Sequence, residues 1–123
     1  MELLRLFNLT HYVRERPRNL PYGVQRRVEI SRALVMKPRL LLLDEPAAGM
    51  NQGEMGALME LIQWVREQFK ATVWIIEHRM RVIMGICERI QALDFGQTIA
   101  EGAPEEIPQH PRVIEAYLGE EVV

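Results

Sequence analysis

At the start of the chain Leu3, Leu4, Leu6 and Phe7 cluster on one side while Glu2, Arg5 and Asn8 fall elsewhere, which predicts one or two short helices over residues 2–15. Residues 22–37 carry a stronger helical pattern. Val24, Val28 and Val35 lie near one stripe, Arg26, Arg27, Glu29 and Arg32 fall mostly off it, and Pro38 stops the helix. Leu40 to Leu43 are wholly apolar, a short strand of the kind found in a parallel sheet covered on both faces. Asn51, with Glu54 three residues on, predicts a capping box. The helix it opens repeats Met55, Leu58, Met59, Ile62, Val65 and Phe69 at helical spacing, so its methionines read as core filling.

Further along, "TVWII" (72–76) predicts a strand, Met80 to about Cys87 a helix, "RIQALD" (89–94) a strand, Phe95-Gly96 a turn and "TIAEG" (98–102) another strand. "APEEI" and "PRVIEAYL" read as two short terminal helices, each opened by a proline. No internal repeat, low-complexity segment or linker interrupts the pattern. Strands alternating with helices predict an α/β fold, in which chemistry collects at the carboxyl ends of the strands.

Composition narrows this picture. A chain of 123 residues holds one modest domain at most. Hydrophobic content of 48% and charged content of 26% suit a soluble globular protein, and a formal net charge of -2 argues against nucleic acid as a partner. Cys87 stands alone, which excludes an internal disulfide and a cysteine-built metal site, favours a reducing compartment, and reads as a buried structural thiol. With neither a cleavable leader pattern nor a membrane-length apolar run, the sequence is cytoplasmic in character.

Candidate chemistry sits at two strand ends. Asp44 and Glu45 follow the leucine strand directly, and His78 lies two residues past Ile76. An apolar strand ending in Asp-Glu matches the second half of a nucleoside triphosphatase site, in which the first acid holds Mg²⁺, usually through water, and the second polarises the attacking water. The apolar strand gives both carboxylates a rigid support. The plainer alternative is an acidic strand end that caps a nearby helix, and His78 by itself reads as a solvent-exposed histidine. "DFG" at 94–96 resembles a kinase motif, but no glycine-rich loop or H-R-D precedes it, and a tight turn with glycine at positive φ accounts for it. His11 and His110 have no partners at ligand spacing and read as surface residues.

"LPYGVQRRVEISRAL" (20–34), "LLLLDEPAAGMN" (40–51) and "WIIEHRM" (74–80) stand in order and together resemble the signature, Walker B, D-loop and switch-histidine motifs of an ATP-binding cassette (ABC) ATPase. "NLPYG", "DEPAAGMN", "MGICERI" and "VIEAYLGEE" narrow the resemblance to the cassette subunits of branched-chain amino acid importers. It covers essentially the whole chain, as the carboxyl-terminal half of a cassette: a partial P-loop NTPase-like fold, mostly parallel sheet flanked by helices. Residues 1–37 would be the end of a helical subdomain with the signature helix, and 38–123 the Walker B, D-loop, switch-histidine and C-terminal part. The resemblance gives Asp44 the metal role, Glu45 that of general base and His78 that of γ-phosphate sensor. Asn51 would act in the D-loop, and Tyr22, Gly23 and Gln25 would meet nucleotide bound to an opposing subunit. At a helix N-terminus, Gly23 would allow close backbone approach and the helix dipole would favour the anion. The signature departs from the common Leu-Ser-Gly-Gly-Gln form at Pro21, Tyr22 and Val24.

No G-x-x-x-x-G-K-[ST] occurs among the 123 residues, and no aromatic residue stands out as an adenine platform. What the resemblance implies is therefore a portion of an importer ATPase that uses ATP and Mg²⁺ when complete, is inactive in isolation, and works at the cytoplasmic face of the membrane. Its expected partners are a second cassette subunit, permease subunits and, indirectly, an extracytoplasmic substrate-binding protein. The alternative is a non-catalytic module that lends its signature helix to a complete cassette. An in-frame P-loop upstream would mark Met1 as an internal or artificial start. In the cassette fold a P-loop strand lies between the strands matching 72–76 and 89–94, so without it the chain is expected to be loosely packed unless those strands close up or a partner supplies the missing one.

Overall fold

The computed structural model describes residues 1–118 and divides into two compact units, Met1–Glu77 and a second beginning at His78. In the first unit α1 (Glu2–Leu6) is followed by 3-10 turns at Thr10–Tyr12 and Pro17–Asn19, then α2 (Tyr22–Leu34), β1 (Leu40–Asp44), α3 (Gln52–Phe69) and β2 (Thr72–Ile76). β1 and β2 pair in parallel, from Leu40↔Thr72 to Asp44↔Ile76, with α3 as the crossover that a parallel pair requires. The second unit has α4 (Met80–Ile86), the antiparallel hairpin β3 (Ile90–Asp94) and β4 (Gln97–Gly102), and α5 (Pro111–Val113), which runs into a π-helical turn at Ile114–Leu118.

α3 forms as its pattern dictates. The Asn51 side chain accepts from Glu54 N–H at 2.9 Å while the Glu54 carboxylate accepts from Asn51 N–H at 2.9 Å, so two otherwise orphaned donors of the first turn are satisfied. Met55, Leu58, Ile62 and Val65 are buried along one stripe, and the helix ends at Lys70, which takes the left-handed conformation itself. Trp64 lies edge-on between Phe7 and Phe69, with centroids 5.6 and 6.1 Å away. In α2, Val24, Ile30 and Leu34 are buried, and the Arg27 guanidinium donates to the Phe7 carbonyl at 3.3 Å.

The second unit has its own core. Ile90, Ala92, Ile99, Ala100, Ile107 and Val113 are buried together, with Ile83, Met84, Cys87, Ala116 and Tyr117 packed against them. The Tyr117 hydroxyl donates to the Leu93 carbonyl, joining the terminal helical run to the hairpin. At the hairpin turn both Phe95 (φ 45) and Gly96 (φ 77) are left-handed, the conformation that suits the twist of a two-residue loop, and Phe95 is fully exposed. Burial pushes the Cys87 thiol above its ordinary value.

Four local expectations are corrected. α2 ends at Leu34 rather than 37, because Met36 and Lys37 N–H close tight turns onto Ala33 and Leu34 and Lys37 has φ 50, before Pro38 acts. The second half of 2–15 is a 3-10 turn. Residues 103–107 form turns rather than a helix: one turn cut off by Pro108 fixes more backbone than its hydrogen bonds repay. The β1–β2 sheet is covered on one face only, with Leu40, Leu42, Trp74 and Ile76 exposed. Residues 119–123, which include the end of "VIEAYLGEE", lie outside the described residues.

Asn51→Ala should lower stability by about 1 kcal/mol in urea unfolding, because the cap at N3 is lost. The same loss in a Glu54→Ala background should be smaller, since the two bonds form one box. At neutral pH the raised thiol leaves little thiolate, so iodoacetamide should alkylate native Cys87 at least about tenfold more slowly than the same chain in denaturant.

Candidate functional site

In the first unit the carboxyl ends of β1 and β2 meet. Asp44 stands opposite Ile76, and the next residue, Glu45, donates its N–H to the Ile76 carbonyl at 2.7 Å. That bond carries the pairing one residue past β1 and holds Glu45 at φ 45, an uncommon conformation for a non-glycine residue. Pro46 and Ala47 are buried, whereas Asp44 and Glu45 are exposed residues. Ala48 N–H donates to the Glu45 carbonyl and Met50 N–H to that of Ala47, both at 3.1 Å, and Gly49 (φ 75) turns the chain into the Asn51 cap.

A third carboxylate belongs to this corner. Glu77, directly after β2, accepts from Ala47 N–H at 3.1 Å and ties the loop after β1 to the end of β2. The hydrophobic pattern passed over Glu77, although it follows an apolar strand as Asp44 ends one. That repeated strand-then-acid arrangement was the available signal.

α2 lies along β1. A cavity of about 170 Å³ is lined by Arg26, Glu29, Ile30 and Ala33 from α2 and by Leu41 to Asp44 with Pro46. The Arg26 guanidinium donates to Glu29 at 3.0 Å and to the Tyr22 hydroxyl at 2.7 Å, 5.2 Å above the Tyr22 ring. Arg26 thus lines one wall of the cavity and Asp44 another. Tyr22 and Gly23 sit in the first turn of α2 with Pro21 as N-cap. The Gln25 side chain turns back to donate to the Leu20 carbonyl at 2.9 Å. Around Gly23 an added Cβ would meet nothing within 4 Å, so the chain's own packing does not require glycine there.

Asp44, Glu45 and Asn51 are therefore brought onto one strand–loop–helix corner, and Tyr22, Gly23 and Gln25 onto one helix end. His78 opens the second unit, in the segment before α4. Of the histidines read as surface residues, His11 is tilted against Tyr12 with centroids 4.0 Å apart, and His110 caps α5 by accepting from Arg112 N–H at 3.3 Å. Among the described residues no group of three or more His, Cys, Asp or Glu could by itself hold a metal ion. One or two carboxylates at a strand end fit an Mg²⁺ that keeps most of its waters and takes phosphate oxygens, not an all-protein cage.

Comparison with known proteins agrees along the chain. Residues 1–48 match the family described as ABC transporter, and residues 97–123 the family described as branched-chain amino acid ATP-binding cassette transporter. The chain is 45% identical over 117 residues to the high-affinity branched-chain amino acid transport ATP-binding protein LivG of Escherichia coli, covering 95% of this chain and 46% of that protein. It is 45% identical over 113 residues to BraF of Pseudomonas aeruginosa, a protein of the same description, covering 92% and 44%. The chain thus spans about half the length of the curated relatives it matches. Among solved structures, the ADP conformation of MJ1267, an ATP-binding cassette of an ABC transporter, superposes with a TM-score of 0.86 at 29% identity over 96% of this chain and 48% of that one.

Because Gly23 costs helix stability and nothing crowds its Cβ position, Gly23→Ala should leave the chain as stable or up to about 1 kcal/mol more stable in urea unfolding. A loss of about 0.5 kcal/mol or more would show that packing within the chain selects the glycine.

Proposed function

The chain belongs to the ABC transporter ATPases, and we propose that it supplies the carboxyl-terminal portion of a cassette that energises uptake of branched-chain amino acids. The arrangement that carries this reading is the corner where Asp44 and Glu45 leave β1, pinned to Ile76 and braced by Glu77. The substrate class rests on the names of LivG and BraF and on the family matched by residues 97–123. Residues 1–37 would then end the helical subdomain, and 38–123 would carry the Walker B strand, the D-loop, the switch histidine and the C-terminal part.

In this reading Asp44 would hold Mg²⁺, which would offset charge on the phosphates, and Glu45 would take a proton from the attacking water. Glu45 is suited to its part because its backbone is held on both sides, by its own N–H on Ile76 and by its carbonyl on Ala48. His78 reads the γ-phosphate, and Asn51 closes the loop after Asp44 against a second subunit. Tyr22, Gly23 and Gln25 present the first turn of α2 to nucleotide on that subunit. Open space around Gly23 supports an approach from outside the chain. Permease subunits, and through them a substrate-binding protein, complete the transporter at the cytoplasmic face. No helix among the described residues is long and apolar enough to cross a membrane.

The test is a chimera in which this chain replaces the matching 117 residues of E. coli LivG. The chimera should bind and hydrolyse MgATP, and Glu45→Gln should keep binding while lowering turnover by about 10²-fold or more. His78→Ala should also slow it. Turnover within about twofold for Glu45→Gln would remove Glu45 as the base. The 123-residue chain alone has no P-loop sequence and should show no micromolar MgATP binding by calorimetry. Tight binding by the chain alone would show a phosphate site that needs no P-loop, and a chimera that never hydrolyses ATP would favour the reading as a non-catalytic module.

A further inference from the structure

The alternation of β2 runs one step past the strand. Val73, Ile75 and Glu77 are half-buried, while Thr72, Trp74 and Ile76 between them are exposed. Glu77 therefore holds an inward position that the period would give to an apolar residue, and a carboxylate placed there needs hydrogen bonds to offset the water it has lost. The Ala47 N–H supplies one at 3.1 Å. Ala47 is 0% exposed, so that N–H in turn depends on a partner within the protein.

The bond matters because of where it falls in the loop. Glu45, Ala48 and Met50 donate their N–H groups to backbone carbonyls, whereas Ala47 donates to a side chain at the end of the other strand. Pro46 has no N–H to give. The loop is thus anchored on β2 before Pro46 by Glu45 N–H on the Ile76 carbonyl, and after it by Ala47 N–H on Glu77. Two consecutive residues hold both anchors. Between them Glu45 keeps φ 45, and a strained residue persists only while its surroundings over-determine it. Removing the second anchor frees the loop to shift against the end of β2.

We infer that Glu77 is a positioning residue for Glu45: by accepting the Ala47 N–H it keeps the loop after β1, and with it the Glu45 carboxylate, in one place against the end of β2. The step that Glu45 performs rests on the functional reading above, and the brace rests on the geometry alone. What Glu77 supplies is an acceptor oxygen at a fixed point, so a neutral amide of the same length can do the same. A reacting group displaced by about 1 Å can lose about 10²-fold in rate while substrate is still bound. The loss therefore belongs in kcat and not in KM.

Kinetics are read in the LivG chimera described above, and amide exchange by NMR in the 123-residue chain itself. Glu77→Ala should lower kcat at least about tenfold with KM for MgATP within about twofold, and Glu77→Gln should restore kcat to within about threefold. Glu60→Ala, exposed on α3, should change neither constant. In the chain, the Ala47 amide should exchange with solvent at least about tenfold faster in Glu77→Ala than in the parent, and at nearly the parent rate in Glu77→Gln. The inference is overturned if Glu77→Ala in an active chimera turns over within about twofold of the parent, if Glu77→Gln is as slow as Glu77→Ala, if KM rises as far as kcat falls, or if Ala47 exchange does not change. The functional reading fails on different results: a chimera without turnover, or one in which Glu45→Gln keeps its rate. Faster Ala47 exchange in Glu77→Ala, reversed in Glu77→Gln, would then still keep Glu77 as the brace of the loop.

Discussion

The first unit is organised by the parallel pairing of β1 with β2, and above all by its last rung. Asp44 stands opposite Ile76, and the Ile76 carbonyl accepts the Glu45 N–H at 2.7 Å. One carbonyl thus ends the ladder and sets the first backbone angle after it. Glu45 at φ 45 is the result, and the carboxylate leaves the sheet in a direction that an extended continuation of β1 would not allow. Left-handed backbone at a residue with a full side chain costs about 1–3 kcal/mol, so the surrounding bonds must over-determine it.

Those bonds form a short chain of dependence. Glu77 takes the Ala47 N–H, Ala47 takes the Met50 N–H, and one residue later Asn51 starts α3 by exchanging two hydrogen bonds with Glu54. The crossover helix, the loop and the two strand ends therefore hold one another. This is the rigidity that the role proposed for Glu45 would need, since the side chain can be correctly placed only if its backbone is. It also gives a physical reason for an apolar strand directly before the acids.

The second unit solves a different problem. Its antiparallel hairpin buries Ile90, Ala92, Ile99 and Ala100 against Ile107 and Val113, leaving the outward positions polar or exposed. An antiparallel sheet tolerates one wet face, and this hairpin is complete within its own unit. The parallel pair in the first unit is not, because its second face is as apolar as its first. The contrast is written along the strands: "RIQALD" alternates, whereas "LLLL" and "TVWII" hold apolar residues on both sides.

Much of this was legible in the chain. The period of α3, its capping box, the strand at 72–76 and the acids placed at a strand's end all depend on residues within a turn or two of each other, where side-chain spacing carries the information. The resemblance carried by three ordered motifs likewise pointed to the family. Other features had no local signal. The hydrogen bond from Ala47 to Glu77 spans 30 positions, and the conformation of Glu45 is set by a carbonyl on another strand. The proline at 104 by itself also suggested a helix over residues 103–107, where Pro108 and the short span leave only turns, and Pro38 taken as the stop extended α2 past Leu34. Which face of β1–β2 is covered was decided only in three dimensions, because a strand apolar on both sides states that it wants two neighbours and leaves to packing which of them is present.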